Sequence, residues 1–267
     1  MRDFFTRHAT ADWSARSRLH LYALPSDELR EAVGRYHQVL GATAAEQGLG
    51  LQPPEFLHFT VQMLHPSRDD IAPEQLAALT EALTAALAEV PPLELQIGPP
   101  VPSMHAVELW THPVPGIDAA WGHLVDAVRS AITSVLGADV LPERGTNAVP
   151  HTSIGYGIAE GDSGRLASTL KKVRIPLITV PITEVHLLDV EQHPGQGRFT
   201  WAAPVVTIPL GDLETIEPLD ASDEEWLRSP GSGIYLNGSL GPRSHVRLPS
   251  GRLVNGRALQ KWWRSHA

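Results

Sequence analysis

Two short stretches hold the residues best suited to chemistry. In "LHFTVQM", residues 57–63, His58 is followed two positions later by Thr60, and in "PHTSIGYG", residues 150–157, His151 and Ser153 repeat the relation. Side chains alternate along a β-strand, so residues at i and i+2 share a face. Strict alternation presents His58, Thr60 and Gln62 on one face of the first stretch, while Leu57, Phe59, Val61 and Met63 anchor the other. In the second it presents His151, Ser153 and Gly155, turns Thr152, Ile154 and Tyr156 away, and leaves Gly155 and Gly157 as places where a ligand approaches the backbone. An imidazole takes or gives a proton near neutral pH, and a hydroxyl donates to a charged oxygen. Two such pairs facing each other would supply a base, an acid and two hydroxyl donors.

The bare pattern His-x-Ser/Thr occurs four times, so context has to select. His8 with Thr10 lies in a polar leader, and His65 with Ser67 is interrupted by Pro66, which spoils a central strand. The pairs His105 with His112 and His186 with His193 lack the helical spacing or carboxylate companions of a metal site and read as structural. With no cysteine, disulfides, thiolate metal sites and a thiol nucleophile are all excluded. A formal net charge of -9 argues against broad electrostatic binding to long nucleic acid but leaves a small phosphorylated ligand open.

The motifs need elements to position them. "RLHLYALP", residues 18–25, reads as a strand, and Ser26 caps a helix with Leu29, Val33, Tyr36 and Leu40 on one face. The first motif strand is followed by a helix that starts at Pro73 and carries Leu76, Leu79, Leu83 and Leu87. Residues 93–110 read as two strands joined by a Pro-rich turn, and a third helix holds Trp121, Leu124, Val128, Ile132 and Val135 up to Gly137. After the second motif come a short helix around 163–172 and the strands "ITEVHLLDV" and "RFTWAAPVVTI". Helices interleave with strands joined by tight turns, which predicts an α+β fold with mixed or antiparallel sheets. Two similar presentations, each after a β–α stretch, predict pseudo-symmetric halves facing each other across a cleft.

The tail differs in composition. Seven acidic residues crowd 212–225, whereas everything after Glu225 carries Arg or Lys and no acid. The expected division is a domain over 1–209 and a C-terminal extension over 210–267, docked because it is too short to stand alone without cysteines or metal ligands. No apolar run is long enough to span a membrane and the N-terminus has no secretory apolar region, so no membrane and a cytoplasmic protein are expected. Oligomeric state has no signature in the sequence.

The two motifs, with their apolar flanks, resemble the 2H phosphoesterase superfamily, in particular the family of bacterial 2'-5' RNA ligase and its cyclic phosphodiesterase relatives. The resemblance covers roughly residues 16–209. It implies a bilobal, pseudo-twofold fold with one motif per lobe around a central cleft. It also implies no metal and no cofactor, with a nucleotide or RNA end bearing a 2',3'-cyclic phosphate, or a 2'-5' linkage, as substrate. On this reading His58 and His151 are the acid–base pair, and Thr60 and Ser153 hold the phosphate. Residue types leave open which histidine is the base; the resemblance implies that His151 activates water and His58 protonates the leaving oxygen. His20 and Tyr22 on the first strand, Gln62, and Arg144 with Asn147 before the second motif are candidate substrate contacts. The alternative is a non-catalytic module that binds an RNA end in the same cleft, gripped by the basic tail with Trp262 and Trp263.

Overall fold

The computed structural model describes residues 1–8, 17–114, 116–142, 149–211, 221–229, 245–249, 253–255, 258–259 and 262. By their internal contacts the residues form two compact units, Met1–Leu210 and Gly211–Ala267.

Unit one begins with the short helix α1 (Phe4–His8), and then β1 (Arg18–Ala23) sends Leu19, Leu21 and Ala23 into the main core and Tyr22 to the opposite face. Helix α2 (Asp27–Glu46) is N-capped by Ser26, whose hydroxyl accepts from the Leu29 N–H, and it buries Leu29, Val33, Tyr36 and Leu40. It kinks at Gly41, where φ is +40°. The short β2 (Leu49–Leu51) and the first motif strand β3 (Phe59–Met63) follow. Helix α3 (Pro73–Leu87) then buries Leu79, Leu83 and Leu87. A hairpin of β4 (Leu93–Pro102) and β5 (Ala106–Thr111) leads to α4 (Ile117–Leu136), whose buried stripe includes Trp121, Leu124, Val128 and Ile132. The second motif strand is β6 (His151–Gly157), followed by α5 (Ser163–Leu170), β7 (Ile178–Ile182), β8 (Glu184–His193), β9 (Arg198–Trp201) and β10 (Val206–Pro209).

Among the described residues, the strands of this unit form two sheets with antiparallel pairing throughout. One has the order β10-β8-β1-β3, with β9 added on β8; the other has the order β2-β6-β5-β4-β7. Helices α3 and α4 pair with each other and pack on the first sheet through β10 and β3, α4 also touching β4, while α2 and α5 pair and pack on the second through β2, β7 and β4. The helix that follows β1 therefore covers the other sheet, and this crossing joins both lobes in one hydrophobic core. This is the expected α+β architecture of two helix-flanked sheets with one motif strand in each.

Three elements of this unit were not legible in the sequence. α1 read as a polar leader, β2 has only three residues, and β7 contains Pro181, which suits it to the sheet edge it occupies. The stretch "RFTWAAPVVTI" divides into β9 and β10.

In unit two, α6 (Ala221–Arg228) and a hairpin of β11 (His245–Arg247) and β12 (Leu253–Asn255) supply Leu227 and Val254 to a small core with Leu248, Ala258, Leu259 and Trp262. Trp262 is buried there beneath the Arg228 guanidinium, 5.6 Å from the ring centroid, so it is packing and not an exposed stacking platform. Trp263 lies outside the described residues. Among these residues no helix is long and apolar enough to cross a membrane.

Candidate active site

His58 stands one residue before β3, after the tight turn Pro54–Phe56, and His151 is the first residue of β6. Although they belong to different sheets, β3 and β6 come into contact. Each imidazole is held in the same way: Nδ1 lies 2.9 Å from the Phe56 carbonyl in His58 and 3.1 Å from the Val149 carbonyl in His151. A carbonyl only accepts, so Nδ1 carries the proton in both rings and Nε2 is the reactive end. His58 is buried and lies flat on Tyr22, with centroids 4.0 Å and planes 12° apart, while Trp201 meets it edge-on at 5.6 Å. His151 is less buried and stacks on Trp110 at 4.6 Å. Burial pushes the His58 pKa down to about 4, the bond to Phe56 opposes this, and the charge of His151 reinforces it.

A one-residue bulge follows each motif hydroxyl. Between β1 and β3 the pairing steps from Leu21 with Gln62 to Tyr22 with Thr60, leaving Val61 extra; between β5 and β6 it steps from Val107 with Gly155 to Glu108 with Ser153, leaving Ile154 extra. Each bulge resets the alternation, and this corrects two sequence expectations. Gln62 does not share a face with His58: its Oε1 accepts from Arg129 Nη1 of α4 at 2.9 Å, and its Nε2 donates to the Met63 carbonyl. Tyr156 does not turn away: it joins Tyr22 in an aromatic cluster, its hydroxyl near Ser153 as that of Tyr22 is near Thr60. Burial raises the pKa of both tyrosines, so both remain protonated. The extra carbonyl, that of Ile154, accepts from His37 Nε2 of α2 at 2.8 Å and from the Gln52 N–H at 3.1 Å.

The glycines of the second motif are occupied by the protein itself. A Cβ on Gly155 would lie 2.8 Å from the Gly50 carbonyl oxygen of β2, and one on Gly157 would collide with the Arg2 carbonyl oxygen. They admit neighbouring backbone where a ligand was expected.

His20 and Tyr22 are brought to the site. The His20 ring is 5.0 Å from Tyr22, its Nδ1–H donates to the Arg18 carbonyl at 3.1 Å, and burial pushes its pKa to about 3, with His58 adding to the effect. Thr60 is exposed and Ser153 is buried. Arg144 and Asn147 lie outside the described residues. His186 bonds Thr207 at 2.9 Å and lies 3.3 Å from Glu184, opposite Tyr22 on β8.

Sequence reasoning missed Trp110, Trp201, Gln52 and His37. Alternation in "AVELWT" already separates Glu108 and Trp110 from the core residues Val107 and Leu109, a signal for Trp110. Nothing local marks Gln52, whose fully buried amide donates to the Phe56 and Phe199 carbonyls at 2.6 and 2.9 Å and accepts from the Phe199 N–H at 2.9 Å. It ties β9 to the carbonyl that orients His58.

Known structures share the fold. The TT0787 protein of Thermus thermophilus superposes with a TM-score of 0.54 at 18% identity, covering 73% of this chain and 99% of that one. E. coli LigT complexed with 3'-AMP superposes with a TM-score of 0.52 at 17% identity, covering 74% and 99%. Among curated proteins none matches significantly. The model of the 2'-5' RNA ligase superfamily matches residues 22–194, from Tyr22 on β1 through both histidine motifs and beyond β8, and the chain belongs to that superfamily.

Proposed function

We propose that the protein is a metal-independent phosphodiesterase that opens 2',3'-cyclic phosphates, or cleaves 2'-5' linkages, of nucleotides or RNA ends. The observation that carries the reading is the doubled arrangement: two histidines at the starts of touching strands of opposite sheets, each with Nδ1–H pinned to a carbonyl and Nε2 as the reactive end, each followed by a hydroxyl and a bulge. Family membership supports a phosphoesterase-type activity, and the 3'-AMP held by E. coli LigT supports a nucleotide ligand.

In this mechanism the phosphodiester lies between the imidazoles. One Nε2 takes a proton from water, whose oxygen attacks phosphorus as the bond to a ribose oxygen breaks, and the other Nε2–H protonates that departing oxygen. Thr60 and Ser153 donate to the non-bridging oxygens, with Tyr22 and Tyr156 beside those hydroxyls. Burial keeps His58 neutral in the resting site, which favours His58 as base and the more open His151 as acid, the reverse of the assignment the resemblance implies. Ligation would use the same steps with the 5'-hydroxyl of a second nucleotide in place of water: one Nε2 takes its proton, its oxygen attacks phosphorus, and the other Nε2–H protonates the departing ribose oxygen.

The test is turnover of the four 2',3'-cyclic mononucleotides and of a 2'-5' dinucleotide with EDTA present, by the wild type and by His58→Ala and His151→Ala. Each variant should lose on the order of 10²-fold or more in kcat while keeping its fold. Turnover that persists in both variants, disappears with EDTA, or is absent from the wild type on every substrate rejects the proposal.

A further inference from the structure

We infer that the base of the substrate rests on the second sheet against Glu108 and Val101, and that Glu108 selects guanine there. The inference rests on the proposed phosphoesterase reading and adds the identity of the base.

The matching bulges put the two sheets in correspondence. Each motif hydroxyl is paired with one residue of the neighbouring strand: Thr60 with Tyr22 of β1, and Ser153 with Glu108 of β5. One strand further, Tyr22 pairs with His186 of β8, and Glu108 pairs with Val101 of β4. Directly paired residues share a face, so each hydroxyl begins a row of side chains across its sheet. In the first sheet the row Thr60–Tyr22–His186 is closed behind the hydroxyl. Tyr22 and His186 are buried, and the two ring nitrogens of His186 are taken by Thr207 and Glu184. In the second sheet the row Ser153–Glu108–Val101 is open: Glu108 is half-buried, Val101 is 50% exposed, and β7 pairs with β4 only over Leu93–Ile97. A base finds surface on the second row and none on the first.

This face of the second sheet is the reactive one, because Trp110, two residues along β5 from Glu108, stacks on His151. Among the described residues none gives the Glu108 carboxylate a hydrogen bond or an ion pair. A bare carboxylate beside a phosphate site repels the phosphate, so its place there is favourable only when the ligand brings donors to it. Neighbouring strands lie about 4.8 Å apart, so Glu108 stands about 5 Å and Val101 about 10 Å from Ser153, the span over which a nucleoside held by its phosphate carries its base. Val101 and half-buried Trp110 offer apolar surface to the ring. Guanine presents N1–H and the N2 amino group side by side, matching the two oxygens of one carboxylate. Adenine and cytosine present one amino group beside an acceptor nitrogen, and uracil one N–H between two carbonyls, so each of these sets an acceptor against the carboxylate.

The test is binding without chemistry, by calorimetry in the His58→Ala/His151→Ala background. The probes are the 2',3'-cyclic phosphates of guanosine, inosine, adenosine, cytidine and uridine. The guanosine probe should bind about tenfold or more tighter than the uridine probe, with the inosine probe, which lacks the N2 amino group, in between. Glu108→Gln keeps the side-chain volume and replaces one acceptor oxygen by a donor. It should weaken the guanosine probe about tenfold while the uridine probe changes less than about threefold, bringing the ratio toward one. No preference for guanine, equal binding of guanosine and inosine probes, failure of all five to bind, or a preference that Glu108→Gln leaves unchanged overturns the inference. Where Glu108→Gln does not fold, the comparison of guanosine with inosine decides alone, since it removes the same contact from the ligand side. Failure of the phosphoesterase reading is seen separately, as lack of turnover in the protein with both histidines.

Discussion

The Tyr22 ring lies parallel to the His58 imidazole, 4.0 Å away between centroids, and its hydroxyl lies near Thr60, so one side chain from β1 neighbours both members of the first motif. By covering His58 it contributes to the burial that lowers the pKa of that ring to about 4. As the base of the proposed reaction, His58 must be neutral, so kcat/KM of the wild type should fall only as pH drops through about 4. Tyr22→Ala opens the ring to water, raises its pKa, and should move this acid limb upward toward the unperturbed histidine value of about 6.5. A pH–rate profile of the two proteins checks it; an unmoved limb means that Tyr22 does not control His58.

His20 makes a prediction about stability. Its folded pKa, about 3, and that of His58, about 4, both lie below the unfolded value, so the unfolded chain binds more protons between pH 6.5 and those values. The stability they support is present above pH 6.5 and is lost as pH falls, with a slope of up to about 1.4 kcal/mol per pH unit for each ring. His20→Phe keeps the ring volume and removes one titration. Urea unfolding at pH 7 and pH 4.5 should show a smaller acid loss in the variant than in the wild type.

The bulge at Ile154 depends on a side chain from another element. His37→Leu removes the 2.8 Å bond to the Ile154 carbonyl, leaving only the Gln52 N–H to satisfy it, at a cost of about 1–2 kcal/mol. Because the bulge brings Tyr156 to Ser153, kcat should fall about tenfold while KM changes less. His37→Gln, which restores a donor, should recover part of both. Thermal melts with steady-state kinetics decide, and full activity in a destabilised His37→Leu protein would separate the bulge from the chemistry.

Gln62 tests the reset of alternation directly. Gln62→Met removes the bond from Arg129 and should cost about 1 kcal/mol while KM for a cyclic nucleotide stays unchanged. A raised KM with unchanged stability would put Gln62 back beside the substrate.

Local physics made much of this protein legible in advance. Leucines at helical spacing, the Ser26 cap, Pro73 and Gly137 mark α2, α3 and α4, because amphipathic period and capping are properties of a few neighbouring residues. The two histidine–hydroxyl pairs were visible for the same reason, since spacing by two is a local relation. The sequence by itself thus determined the α+β class, the order of most elements, and the identity of His58, Thr60, His151 and Ser153 as candidates. Only the tertiary structure decided which way the flanking residues point. A bulge arises from pairing with a partner strand, so Val61 and Ile154 cannot announce that they will turn Gln62 toward Arg129 and Tyr156 toward Ser153. Long-range partners are equally silent in the chain: Gln52 meets Phe199, His37 meets Ile154, and Gly157 meets Arg2 only once sheets, helices and N-terminal segment have packed. Burial does the rest, because the pKa of His58 is set by what covers it, and what covers it comes from β1 and β9.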